Sequence, residues 1–88
     1  MEQHELIVEL ESIASRLGIK VRYEKGDFEG GYCVLKSERI VVINKKLSPH
    51  MRLSVLARGI SEIGLNNIYV NPAVREFIED ELTKAARE

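Results

Sequence analysis

Residues 30–44 carry the reading that decides the fold: Gly30-Gly31-Tyr32-Cys33-Val34-Leu35, a polar break at Ser37-Glu38, then Ile40-Val41-Val42-Ile43-Asn44. Two apolar runs around so short a break predict an antiparallel hairpin with strands over 32–36 and 39–44. Ile40–Ile43 is apolar at every position. Such a strand is expected to be covered on both faces, in the middle of a sheet or beneath helices. Tyr32–Leu35 has the same character, and Cys33 within it is expected to be a small buried hydrophobe. No histidine or helix start lies near Cys33 in sequence to hold a thiolate, so it is not read as a nucleophile.

The hairpin feeds a helix predicted over 49–63. Ser48 is a good N-cap and Pro49 suits the first helical position. Leu53, Leu56, Ala57, Ile60 and Ile63 form its core stripe. Met51, Val55, Arg58 and Glu62 share a second face at helical spacing. Gly59 lies mid-helix, at a cost of about 1 kcal/mol relative to alanine, and close packing against another element is the expected reason. Gly64 ends the helix.

Upstream, residues 3–17 predict an amphipathic helix. Leu6, Leu10, Ile13 and Leu17, flanked by Ile7 and Ala14, make its apolar stripe, and Gly18 is its expected left-handed cap. Residues 19–24 alternate apolar and charged. They predict a strand with one wet face at the sheet edge, where Lys20 and Arg22 oppose aggregation. Residues 25–31 read as a loop whose Phe28 is expected to fold back onto the core. Its glycines lead into a strand and not into a helix N-terminus, so they are read as turn residues and not as a phosphate loop.

Downstream, Leu65–Val70 is expected to pin the chain to the core. Asn71-Pro72 repeats the cap-then-proline signal. It opens a third helix, to about Arg87, with the stripe Val74, Phe77, Ile78, Leu82 and Ala85. Arg75, Glu76, Glu79, Asp80 and Lys84 are expected to face water. The resulting order, α-β-β-β-α-α, predicts an α+β fold: a small three-stranded, at least partly antiparallel sheet packed with helices. With 88 residues, the chain is expected to be a single domain over 1–88.

Thirteen basic and fourteen acidic side chains are mixed along the chain and give a net charge of -1, so no basic face for nucleic acid is expected. A single cysteine excludes an internal disulfide and fits a reducing compartment. The N-terminus lacks the basic start and apolar run of a signal peptide, and no apolar stretch approaches the ~20 residues that cross a bilayer. A cytoplasmic location without membrane contact is expected.

Ile13-Ala14-Ser15-Arg16-Leu17-Gly18-Ile19, Gly30-Gly31-Tyr32, Ile40-Val41-Val42-Ile43-Asn44 and the helix from Leu53 to Glu62 together resemble zincin-like metallopeptidases of the ImmA/IrrE type. The resemblance spans residues 10–65 and implies a zincin-like core. In that family the helix carries Ala-His-Glu-x-x-His, whose histidines bind zinc and whose glutamate is the general base. Laid on Ala57, the first histidine position holds Arg58, the glutamate position Gly59 and the second histidine position Glu62. A guanidinium has no free acceptor for a metal, and without the glutamate no base activates a zinc-bound water. His4 and His50 stand outside the motif, at element starts, and are read as surface histidines. The resemblance therefore implies a peptidase-dead scaffold with no catalytic residue, no bound metal and no cofactor.

The expected function is that of a small non-catalytic interaction or regulatory module. It would bind a protein partner or a second copy through Met51, Val55, Arg58 and Glu62. An apolar pair such as Met51 and Val55 on a second helix face is exposed unless another subunit or the third helix covers it. The alternative is a small-ligand or metal-binding protein, or a residual hydrolase, that uses the old cleft.

Overall fold

A computed structural model describes residues 1–87; Glu88, the last residue of the expected 1–88 domain, lies outside the described residues. The order is α1 (Gln3–Arg16), β1 (Ile19–Glu24), β2 (Gly30–Leu35), β3 (Glu38–Asn44), α2 (Pro49–Ser61) and α3 (Pro72–Arg87). The predicted α+β class and the α-β-β-β-α-α order are those observed. The sheet is mixed, ordered β1-β3-β2, with β1 parallel and β2 antiparallel to β3. No helix among the described residues is long and apolar enough to cross a membrane.

The register assigns the faces. Val21, Val41 and Tyr32 are neighbours across the three strands, and Tyr23, Ile43 and Gly30 form the next row. These rows face the helices: Val41 and Ile43 are fully buried and join Leu10, Ile13, Leu53, Leu56, Ile60 and Val74 in one core. The opposite face carries Lys20, Arg22, Ile40, Val42, Cys33 and Leu35. Ile40 is buried even there, but it lies outside the main core, and Leu35 is exposed. β3 is therefore central, as its apolar run predicts, while only one face of the sheet is covered by helices.

That arrangement corrects several expectations. Tyr32–Leu35 is not a doubly buried strand: β2 is an edge, Cys33 is exposed, and Val34 and Leu35 are 58% and 57% exposed. The strand begins at Gly30, two residues earlier than predicted, and the turn falls on Lys36-Ser37, not Ser37-Glu38. Both turn residues have positive φ, 51° and 71°, the conformation of a two-residue hairpin turn that follows strand twist. Phe28 is exposed, because its ring lies over Gly26 and not on the core. In α3, Leu82 is exposed and Glu81 takes the buried place beside Val74 and Ile78.

The remaining local signals behave as their chemistry dictates. Gly18 closes α1 at φ 76°. The Ser48 side chain accepts from the Met51 amide at the start of α2, with Pro49 in the first turn. Asn71 Oδ1 accepts from the Ala73 amide at the start of α3. Leu65 and Val70 are buried and tie the intervening loop to the core.

Candidate functional site

The site grows from one close approach. Gly59 is buried on α2, and a Cβ built there would collide with Val41 Cγ2 on β3. The missing side chain lets α2 settle against the sheet and sets its second face beside the outer edge of β2.

Gly30 repeats the device at that edge. Its φ is 130°, and a Cβ would run into the Val42 carbonyl oxygen. Between the bare start of β2 and α2 lies a cavity of about 140 Å³, whose lining includes Glu29, Gly30, Val55, Arg58, Gly59 and Glu62. Three of the four residues expected to form a binding face thus meet at one wall. Met51 lines an adjoining cavity of about 210 Å³, which shares Glu29, Val55 and Arg58 with the first and reaches α3. Met51 and Val55 are half-buried, and Arg58 and Glu62 are exposed. The third helix packs on α2 without sealing this face.

The second cavity holds a group that local sequence did not single out. Glu81 is 3% exposed, and its Oε2 accepts from the Ser54 hydroxyl at 3.0 Å. Lys84 Nζ lies 3.6 Å from its other oxygen. A buried carboxylate needs such partners, and the serine that supplies one is itself buried on α2, next to the predicted core stripe and not named in it. The only sequence signal was a polar residue, Ser54, set between Leu53 and Val55.

The edge of β2 has its own chemistry. Asn44 donates its amide to the Glu29 carbonyl at 3.1 Å. Bonded and unbonded residues alternate in an antiparallel pair, so Gly31, Cys33 and Leu35 bond to β3, while Gly30, Tyr32 and Val34 turn their N–H and C=O groups outward. No residue of β2 is charged. The other edge is guarded: Lys20 pairs with Glu38 at 3.0 Å and Arg22 with Glu24 at 2.8 Å.

Asn44 also builds the approach to this edge. Its Nδ2 donates to the Gly26 and Phe28 carbonyls at 2.6 Å each, and its Oδ1 accepts from the Lys46 amide at 2.9 Å. The loop before β2 is thereby fixed to the end of β3.

His4 and His50 are both exposed, and His50 stands at the rim of the α2–α3 cavity. Among the described residues, no group of three or more His, Cys, Asp or Glu side chains is placed to hold a metal ion. No family model matches the chain, and no curated protein or solved structure matches it.

Proposed function

We propose that this domain is a non-catalytic protein-interaction module, on a scaffold resembling a metallopeptidase, that takes an extended protein segment along the outer edge of β2. The observation that carries the reading is the contrast between the two sheet edges. β2 offers outward backbone groups at Gly30, Tyr32 and Val34 with no charged residue along the strand, whereas Lys20 and Arg22 guard β1. Added strands gain affinity from main-chain hydrogen bonds and selectivity from pockets that receive alternate side chains. The cavity lined by Val55, Arg58 and Glu62 is such a pocket, and it lies on the helix side of the edge. In a peptidase of the resembled type, the same helix positions would hold zinc ligands and a base; here they are Arg58, Gly59 and Glu62.

Panning short, randomised displayed peptides against the chain at low concentration tests the edge, with amide shifts mapped for a recovered peptide. Shifts centred on Gly30–Leu35 support the reading. Shifts centred on another surface, or no recovered peptide together with a strictly monomeric chain, overturn it. Calorimetric titration with zinc tests the non-catalytic part: one-to-one binding that is lost in Glu62→Ala would return the site to metal chemistry.

A further inference from the structure

We infer that the strand received by β2 is the β2 strand of a second copy of this chain, paired antiparallel about a twofold axis at Tyr32 to give a continuous six-stranded sheet. The inference rests on the edge-binding reading above and names its partner.

Three features of the edge select this occupant. The first is hydrogen-bond phase. Gly30, Tyr32 and Val34 are the residues whose backbone groups point outward, and a bonded antiparallel pair exchanges both its bonds. A dyad at Tyr32 pairs Gly30 with Val34 of the second copy, Tyr32 with its own equivalent, and Val34 with Gly30. All three outward residues of each copy are then satisfied. A register shifted by two residues one way pairs Tyr32 with Val34 and leaves Gly30 opposite Lys36, a turn residue; shifted the other way, it pairs Gly30 with Tyr32 and leaves Val34 opposite Phe28, outside the strand.

The second feature is shape. Val34 is 58% exposed on the helix side of the sheet, in the row of Arg39. Its partner in this register is Gly30, the position with no side chain, beside the 140 Å³ cavity walled by Val55 and Gly59. Each Val34 therefore enters the hollow that the other copy leaves at Gly30. The two Tyr32 rings meet as a cross-strand aromatic pair, a favourable neighbour on one sheet face.

The third feature is charge. Asp27 and Glu29 outnumber Lys25 ahead of β2, and Lys36 and Arg39 outnumber Glu38 at its hairpin end, so the two ends carry opposite net charge. Antiparallel pairing sets the acidic end of each copy beside the basic end of the other. Parallel pairing would set Glu29 against Glu29. The outer face gains continuity as well, since Cys33 lies beside Ile40 and Gly31 beside Val42 in both copies.

Sedimentation equilibrium of the whole chain over a wide concentration range is the test, with Val34→Lys, Lys20→Val and Arg22→Val measured alongside. The expected result is a wild-type dimer that Val34→Lys weakens by on the order of 100-fold, because both symmetric valine seats are lost. The β1 variants should keep the dimer, and circular dichroism should show Val34→Lys folded, its site being exposed. Diagonal neighbours across paired strands lie about 7–8 Å apart, so a thiol cross-linker of about that span should join the two Cys33 residues.

A wild-type monomer at every concentration overturns the inference, as does a dimer indifferent to Val34→Lys. Ready formation of a direct Cys33–Cys33 disulfide overturns this register, because it requires the two cysteines to face each other. A monomer that still recovers peptides bound at Gly30–Leu35 overturns only the identity of the partner and leaves the edge-binding reading standing.

Discussion

Gly59 on α2 and Val41 on β3 pack so closely that no Cβ fits between them. Both are buried, and Val41 is on the central strand of the sheet. In an exposed helix interior, replacing glycine by alanine stabilises by about 1 kcal/mol. Here the added methyl meets a stiff β-branched side chain in a filled core, where overpacking costs about 1–3 kcal/mol. Gly59→Ala is therefore expected to destabilise the fold despite better helix propensity. Urea denaturation would measure the loss, and adding Val41→Ala should recover part of it by making room. A Gly59→Ala protein as stable as wild type, or more so, would remove this contact as the reason for the glycine.

Asn44 is 6% exposed and makes three hydrogen bonds to backbone groups of two different segments. Asn44→Ala leaves two carbonyls and one amide to find water, at about 1–3 kcal/mol for each group that stays buried. Asn44→Asp is expected to be worse, because a carboxylate oxygen would then face the Gly26 and Phe28 carbonyls where an N–H donor belongs. Hydrogen exchange should show the loosening first in residues 25–31, before β1 is affected. Uniform loss of protection would mean that Asn44 supports the whole fold and not the approach to β2.

Glu81 and Ser54 allow a cleaner separation of charge from packing. Ser54→Ala removes a donor from a buried carboxylate and is expected to cost about 1–3 kcal/mol. Glu81→Leu removes the buried charge and keeps most of the volume. Replacing both partners, Glu81→Leu together with Ser54→Ala, leaves no buried polar group unpaired, and such replacements are frequently neutral or stabilising. The double variant should then lose less than the two single variants together, since neither is left with an unpaired partner, and a double-mutant cycle by chemical denaturation reads this coupling. Full additivity would show that the 3.0 Å hydrogen bond contributes nothing in solution.

Element order was legible because each element carries its own period. Alternation at Ile19–Glu24, the unbroken run at Ile40–Ile43 and the cap signals at Ser48 and Asn71 are local facts. What surrounds an element is not local. Tyr32–Leu35 and Ile40–Ile43 look alike as strings, yet one is an edge and the other is central, because strand order depends on how β1 returns to pair with β3. The same holds in α3, where successive residues lie about a quarter turn apart and Leu82 was the better apolar candidate. The place went to Glu81 because Ser54, twenty-seven residues away, holds its carboxylate. The Lys36-Ser37 turn carries no Asn-Gly signal, so only the paired strands define it. Met51, Val55, Arg58 and Glu62 were legible as one helix face, since that needs only helical spacing. The cavity that gathers Val55, Arg58 and Glu62 depends on Gly30 arriving from β2.

Tyr23 gives the fold a pH dependence of known sign. Its hydroxyl bonds to Glu11 Oε2, and the Arg52 guanidinium lies 5.6 Å above its ring. Burial pushes the phenol above its ordinary range; the hydrogen bond to Glu11 and that carboxylate's charge push it the same way, while Arg52 opposes them. The folded chain thus keeps this proton at a pH where the unfolded chain, with an ordinary phenol near 10, has released it. Stability from Tyr23 is fully present below about pH 10 and declines as pH rises from there through the raised folded value. Tyr23→Phe has no proton to lose. Urea midpoints for the two proteins should therefore differ most near neutral pH and converge as the solution is made strongly alkaline. A gap that stays constant or widens with alkalinity would show that the phenol of the folded protein ionises at least as readily as that of the unfolded chain.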